Sequence, residues 1–101
     1  MSDKSKMPGV DAKDGFDLIE YPCDFAFKAM CRADASETGA DYIRGLLTPM
    51  LNDGALLDLK SNASRTGKFE SVTATVYVKN RDELEAIYHL IAQSPRVVMT
   101  L

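Results

Sequence analysis

Residues 71 to 79 alternate strictly between apolar and polar side chains, and this segment constrains the fold more than any other part of the chain. A period of two is typical of a β-strand with one buried face, because successive side chains point to opposite sides. The alternation therefore predicts a strand in a sheet that is covered on one side. The inward residues are Val72, Ala74, Val76 and Val78, and the outward residues are Ser71, Thr73, Thr75, Tyr77 and Lys79.

Three other segments have strand patterns. Residues 25 to 32 alternate with a period of two, residues 57 to 60 begin a second strand, and residues 97 to 101 form a last strand. Residues 61 to 68 are polar and contain Gly67, which suits a left-handed turn, so they predict the loop of a hairpin. The first strand has Phe25, Phe27, Ala29 and Cys31 inward and Ala26, Lys28, Met30 and Arg32 outward.

Two segments have a helical period. Apolar residues between positions 36 and 52 form one helical stripe, but Pro49 removes a helical hydrogen bond and predicts a kink or an early end near Thr48. A second helix begins after Asn80 and ends before Pro95. The candidate capping pairs are Asp34 with Glu37 or Thr38 with Asp41, then Asn80 with Glu83, and the second helix has Leu84, Ile87, Tyr88 and Ile91 inward.

These elements follow one another as β-α-β-β-α-β. Right-handed crossovers turn that order into a four-stranded antiparallel sheet with both helices on one face, the α+β ferredoxin-like arrangement. A single domain spans residues 16 to 101, and residues 1 to 15, with almost no bulky apolar side chain, are expected to be a disordered tail. The open face of the sheet is predicted to carry Lys28, Met30, Arg32, Asp58, Lys60, Thr73, Thr75 and Tyr77, with Val98 and Thr100 from the last strand.

Composition narrows the class of function. The 101 residues carry a formal net charge of −3, which lacks the positive excess that supplies most affinity for nucleic acid backbones. No apolar run approaches the roughly 20 residues of a membrane span. The N-terminal residues also lack the apolar stretch of a secretory signal. We therefore expect a cytoplasmic protein without nucleic acid or membrane partners.

The sequence contains no pattern typical of a metal site or of nucleophilic catalysis. Cys23 and Cys31 stand eight positions apart, without the spacing of a redox or zinc motif, and the single His89 has no metal-binding context. Cys31 is predicted to lie in the core and Cys23 nearer the surface. We expect no catalytic residue, no metal and no cofactor. The methionines that are expected to pack in the core or against the sheet are Met30, Met50 and Met99.

Several short motifs occur in a characteristic order. They are Leu-Ile-Glu-Tyr-Pro at residues 18 to 22, Phe25-x-Phe27-Lys28-x-Met30, Ser-x-x-Gly-x-Phe-x-Ser-Val at residues 64 to 72, and the ending Val97-x-Met99-x-Leu101. Over residues 16 to 101 the sequence resembles the YbeD-like family of small bacterial proteins. The resemblance implies a ferredoxin-like fold similar to the amino-acid-binding ACT regulatory domains. Members are often labelled as lipoate-binding proteins or regulators of lipoate metabolism, so the resemblance adds an expected link to lipoate.

Five cations are the candidate ligand-binding residues. Lys28 and Arg32 of the first strand are expected to meet Lys60 on the open face, partly neutralised by a neighbouring aspartate. The hairpin loop adds Arg65 and Lys68, and basic and hydroxyl side chains of this kind hold carboxylates or phosphates. Surface pairing with acidic neighbours and a plain solvated hairpin are the alternative interpretations.

Two functions from different classes fit these observations. The first is a regulatory or adaptor domain without catalytic activity, which binds a small ligand or a protein partner through the open face, an edge strand or the hairpin. The second is a purely structural homodimer, formed by edge or face pairing of sheets, without a small ligand. Enzymes such as acylphosphatases share the topology, but they carry an Arg and an Asn on a phosphate-binding loop near the first strand. Here Asp24 and Phe25 occupy that place, so an enzyme is the least favoured interpretation.

Overall fold

The strand predicted from residues 71 to 79 lies inside a single antiparallel sheet. The structure is a computed structural model that describes residues 19 to 100. Its strands are hydrogen-bonded in the order β2-β3-β1-β4, and two helices and a short 3₁₀ segment (Thr48–Met50) connect them. The predicted β-α-β-β-α-β order and ferredoxin-like fold are thus confirmed. The elements are β1 (Cys23–Arg32), α1 (Gly39–Leu47), β2 (Leu56–Ala63), β3 (Phe69–Val78), α2 (Arg81–Ala92) and β4 (Val97–Thr100).

The hydrophobic core lies between one face of the sheet and the two helices. The inward alternation predicted for β1 and β3 is confirmed, because their central inward residues are buried while the residues between them are more exposed. Burial of this kind is the main favourable term in folding. The predicted tail at residues 1 to 15 and the end of the last strand at Leu101 lie outside the described residues. The core consists of Phe27, Ala29, Cys31, Ile43, Leu47, Val72, Ala74, Val76, Val78, Leu84, Ile87 and Ile91.

Helix α1 begins and ends near the predicted positions. The Thr38 hydroxyl accepts a hydrogen bond from the Asp41 backbone N–H at 3.0 Å, so this is the pair that caps the helix. Asp34 instead accepts hydrogen bonds from the backbone N–H and the hydroxyl of Ser36. The α-helix ends before Pro49, which lies in the 3₁₀ segment. None of the described helices is long and apolar enough to cross a membrane.

Asn80 caps helix α2, as predicted. Its side-chain oxygen accepts a hydrogen bond from the Glu83 N–H at 2.9 Å, and the Glu83 carboxylate accepts one from the Lys79 N–H at 2.8 Å. Replacing Asn80 by alanine should lower the free energy of unfolding by about 1 kcal/mol, measured by urea denaturation. The Asn80→Asp variant keeps an acceptor and should remain close to wild type. Equal losses in the two variants would contradict a role for the cap.

Residues 61 to 63 belong to strand β2 and not to the predicted hairpin loop. Ser61, Asn62 and Ala63 pair with Val72, Ser71 and Glu70 of β3, so the loop shrinks to the turn at residues 64 to 68. The prediction failed because these polar residues lie on an edge strand, where one side faces solvent and polar side chains are tolerated. As a result, Lys60 lies within the strand rather than at the entrance to the loop.

The last strand differs from the prediction in its register. Met30 pairs with Met99 but Cys31 pairs with Val97, so Val98 is an additional residue in a bulge. A one-residue shift moves side chains to the opposite face. Thr100, which pairs with Ala29, therefore faces the helices, and its hydroxyl lies 3.1 Å from that of Tyr88. Two methionines expected to be packed are exposed, Met50 by 41% and Met99 by 53%.

Candidate functional site

The strand register places two of the five candidate cations side by side on the open face. Thr73 of β3 has Lys28 of β1 as its partner on one side and Lys60 of β2 as its partner on the other. Neighbouring strands are about 4.8 Å apart, so the two lysine Cα atoms are separated by about 10 Å. We call Lys28, Thr73 and Lys60 the lysine row.

Short hydroxyl side chains follow β3 on the open face, and one of them, Thr73, lies between the two lysines. Ser71, Thr73 and Thr75 are half-buried and alternate along β3 with the buried valines and alanine of the core. Among these residues Thr73 is the one that the two lysines flank, because Ser71 and Thr75 pair with other residues of β1 and β2. Hydroxyl groups can donate hydrogen bonds and ammonium groups supply charge, so the lysine row is suited to a carboxylate or a phosphate.

The charge of the lysine row is only partly neutralised. The Lys60 ammonium lies 3.7 Å from the Asp58 carboxylate, as predicted, and both side chains are more than half exposed. Exposed pairs of this kind contribute little free energy. Lys28 makes no ion pair with any residue between positions 19 and 100. The row therefore keeps positive charge in a chain whose net charge is −3.

The other three candidate cations lie at the far end of the sheet. Arg32 is paired with Phe69, and it follows Lys28 by four residues, which corresponds to about 13 Å along a strand. Arg65 and Lys68 belong to the exposed turn between β2 and β3, and the Lys68 carbonyl accepts a hydrogen bond from Ala33 just after β1. The five cations thus form two groups and not one site: Lys28 with Lys60, and Arg32 with Arg65 and Lys68.

Several backbone N–H groups of the hairpin turn donate hydrogen bonds within the turn itself. The Ser64 N–H donates to the Phe69 carbonyl at 2.8 Å, and the Gly67 N–H donates to the Ser64 carbonyl at 3.0 Å. The Phe69 N–H donates to the Ser64 hydroxyl. Gly67 has φ of +77°, the left-handed conformation predicted for it. An anion at this turn would therefore meet the side chains of Arg65 and Lys68 rather than a group of free backbone N–H donors.

Arg96 and Glu70 form a nearly buried ion pair that is not among the residues predicted from the sequence. Their side chains are 11% and 15% exposed, and Nη2 of Arg96 lies 3.5 Å from Oε1 of Glu70. The same guanidinium donates to the backbone carbonyls of Glu37 at 2.7 Å and Arg32 at 2.8 Å, and it lies over the ring of Tyr42. The sequence contains a signal for Glu70, because it lies two residues before Val72 and therefore on the same inward face of β3.

The Glu70 carboxylate connects this pair to the start of helix α1. Both of its oxygens lie 3.0 Å from the Gly39 N–H, and the Ser61 hydroxyl donates to it at 2.9 Å. A Cβ atom on Gly39 would lie 3.0 Å from a methyl group of Val72, so a side chain at this position would have to displace Val72 slightly. These contacts fix the helix against the sheet and leave no free charge for a ligand.

The cysteines and the histidine offer no activated group. Cys31 is fully buried, and burial raises the pKa of its thiol, so the reactive thiolate is disfavoured. Cys23 is half-buried against the core, and His89 is exposed on helix α2. Within residues 19 to 100, no three His, Cys, Asp or Glu side chains are grouped so that they could hold a metal ion.

Comparison with known proteins identifies the family. The model of a family described as "Protein of unknown function (DUF493)" matches residues 17 to 101, which is most of the chain. The chain belongs to the DUF493 family. The resemblance to the YbeD-like family is thereby confirmed.

Relatives of this DUF493 domain are bacterial UPF0250 proteins. The UPF0250 protein NE1487 of Nitrosomonas europaea is 31% identical over 84 residues, which cover 83% of this chain and 94% of that protein. A UPF0250 protein of Chromobacterium violaceum is 33% identical over 86 residues, with coverages of 84% and 93%. The solution structure of protein HP0495 from H. pylori is similar, with a TM-score of 0.66 and 25% sequence identity. The match covers 97% of this chain and 98% of the HP0495 chain. It has the same fold.

Proposed function

We propose that this DUF493 domain is a regulatory or adaptor module without catalytic activity, and that it binds a small anionic ligand on the open face of its sheet. The lysine row supports this proposal most directly. It combines an ammonium that pairs with no residue between positions 19 and 100, a weakly paired ammonium and the Thr73 hydroxyl, on a surface that no described element covers. These groups bind charge, but they do not activate a nucleophile.

The chemistry around the lysine row favours binding over catalysis. A general base must lie within hydrogen-bond reach of the proton that it removes. The carboxylate nearest to the row along the strand, Asp58, is engaged with Lys60. The described cysteines and the histidine lie elsewhere, because Cys31 is in the core and His89 is on the outer side of helix α2.

The neighbours of Lys28 favour an amphipathic anion. Ala26 and Met30 flank it on the same face of β1, so an apolar chain would find contacts next to the charged group. Lipoate and octanoate have this chemistry, a carboxylate on a short apolar body. The lipoate label of the YbeD-like family makes them the first ligands to test, and a role in regulating lipoate metabolism is the corresponding biological proposal.

Removing both lysines of the row should weaken octanoate binding. Each exposed cation contributes about 0.7 kcal/mol to such a contact, so Lys28→Ala combined with Lys60→Ala should raise the dissociation constant about tenfold. Isothermal titration calorimetry at low ionic strength measures this effect, and added salt should reduce the wild-type affinity.

The hairpin supplies a matched control for this experiment. Arg65→Ala combined with Lys68→Ala removes the same charge from an exposed turn, and it should leave the affinity within about twofold if the lysine row is the site. An equal loss in both double variants would mean that only overall charge matters. A loss in the hairpin variant alone would move the site to the second group of cations.

Light scattering separates the proposal from a purely structural homodimer. A ligand-binding module requires affinity for the anion whatever its oligomeric state. The homodimer requires a doubled mass and no ligand. A doubled mass together with no heat of binding for lipoate or octanoate would therefore favour the structural alternative.

A further inference from the structure

The two edges of the sheet are built differently. The β2 edge carries the charged pair Asp58 and Lys60, and charges protect an edge strand against pairing with another chain. Both edge strands contain a bulge, between Leu56 and Asp58 in β2 and at Val98 in β4, so charge is the difference between them. The β4 edge has no charged residue within Val97–Thr100, and Val98 and Met99 are 38% and 53% exposed. No strand within residues 19 to 100 pairs with its outer side.

The open face beside β4 has a distinct pattern of charge. Lys28, Met30 and Arg32 follow one another on β1 with a period of two, and Met30 is paired with Met99 of β4. An apolar centre therefore lies between two cations. The two cations are about 13 Å apart along the strand.

The guanidinium of Arg32 lies close to the β4 edge. Its Nη1 atom donates a hydrogen bond to the carbonyl of Pro95 at 3.0 Å, and Pro95 lies just before β4. The guanidinium therefore lies near the start of the edge strand. A guanidinium has five N–H donors in a fork that matches a carboxylate, so this single contact leaves others available.

We propose that the outer edge of β4 binds an extended acidic segment of a partner protein as a fifth strand. Addition of a strand to an exposed sheet edge is a general mode of peptide recognition, in which the backbone supplies affinity and alternate side chains supply specificity. The proposal rests on the proposed function in one respect, namely that the open face attracts anions. The partner, its backbone contacts and the edge that it uses are additional.

The spacing of the three β1 residues defines the segment. Its side chains on the open face should read acidic, apolar, acidic at alternate positions, so that the carboxylates approach Lys28 and Arg32 and the apolar residue covers Met30 and Met99. Methionine adapts to irregular partner surfaces. The pattern is the same in both chain directions, so it serves a parallel or an antiparallel strand. Moving one of the two glutamates by a single residue turns its carboxylate to the face opposite the other, whatever the register of pairing.

Fluorescence anisotropy with a labelled nine-residue peptide tests the proposal on the full chain. The peptide has glutamate at its third and seventh positions, leucine at its fifth and threonine or serine elsewhere. The control peptide has the same composition with its second glutamate at the sixth position, so that in no register can both carboxylates lie on the open face. The first peptide should bind about three- to fivefold more tightly than the control at low ionic strength, in line with one exposed charge contact.

Two matched variants locate the binding edge. Met99→Asp places a negative charge on the β4 edge and should weaken peptide binding about tenfold. Leu57→Asp makes the same change at an exposed apolar residue beside the β2 edge, and it should change the peptide affinity less than about twofold. Arg32→Ala should weaken binding by up to about fivefold.

Several results would overturn the proposal. These are no binding by wild type at millimolar peptide, equal binding of the two peptides, or equal losses in the Met99→Asp and Leu57→Asp variants. Self-association that Met99→Asp abolishes, without peptide binding, would mean that a second copy occupies the edge. If octanoate binding at the lysine row persists while the peptide fails, the proposed function stands and the strand addition alone is wrong.

Discussion

Replacing Arg96 by alanine is expected to lower the free energy of unfolding by about 3 kcal/mol, because removing one partner of a nearly buried ion pair leaves the other without compensation. The guanidinium is 11% exposed, and it bonds to the Glu70 carboxylate and to the carbonyls of Arg32 and Glu37. Without it, the end of β1, the start of β3 and the segment before α1 lose a shared donor. Urea denaturation followed by circular dichroism measures the change.

The control for this prediction is Arg44 on helix α1. Arg44 forms an exposed pair with Asp41 at 3.1 Å, with both side chains more than half exposed. Arg44→Ala should therefore change the free energy of unfolding by less than about 0.5 kcal/mol. If Arg96→Ala and Arg44→Ala had equal effects, the ionic cluster would have no structural role.

The second large effect is expected at Ile87. This residue is fully buried in the middle of helix α2, where it packs against the sheet core. Replacing it by alanine removes three carbon atoms and leaves a cavity, at a cost of about 3 kcal/mol in the free energy of unfolding. Urea denaturation measures this loss. An unchanged dependence of the free energy of unfolding on urea concentration would show that the fold is retained.

His89 on the same helix provides the comparison for Ile87. It lies two positions further along, and it is exposed where Ile87 is buried. His89→Ala should change the free energy of unfolding by less than about 0.5 kcal/mol. A loss at His89 as large as that at Ile87 would mean that the assigned inward face of α2 is wrong.

The fold was predictable because its strands are covered on one side only. In β3, that asymmetry appears directly as alternation between Val72, Ala74, Val76 and Val78 and the polar residues between them. The caps were predictable for a similar reason. Asn80 is placed three residues before Glu83, and side chains at that spacing satisfy backbone donors that the helix itself leaves free.

The differences arose where pairing between strands outweighs local preference. Ser61 and Asn62 have the composition of a loop, but β3 offers them a complete ladder of hydrogen bonds. The bulge at Val98 depends on how β4 meets β1, so no periodicity within residues 97 to 101 could show which face Thr100 takes.

The candidate site was predictable only as a set of residues. The alternation predicts that Lys28 and Lys60 share one face, and register brings them together around Thr73. The sequence groups Arg65 and Lys68 with Lys60 because the polar residues 61 to 63 predict a loop. Because these residues belong to strand β2, the turn lies further from the lysine row by the length of residues 61 to 63.

An amide NMR titration of the isotope-labelled protein with lipoate, octanoate and a panel of amino acids shows whether and where an anion binds. It reports binding residue by residue at low ionic strength, including weak binding. Binding at the lysine row should shift the amide signals of Lys28, Thr73 and Lys60 when lipoate or octanoate is added, and added salt should reverse these shifts. The absence of shifts on the open face for every compound, at millimolar concentrations, would contradict the proposed function.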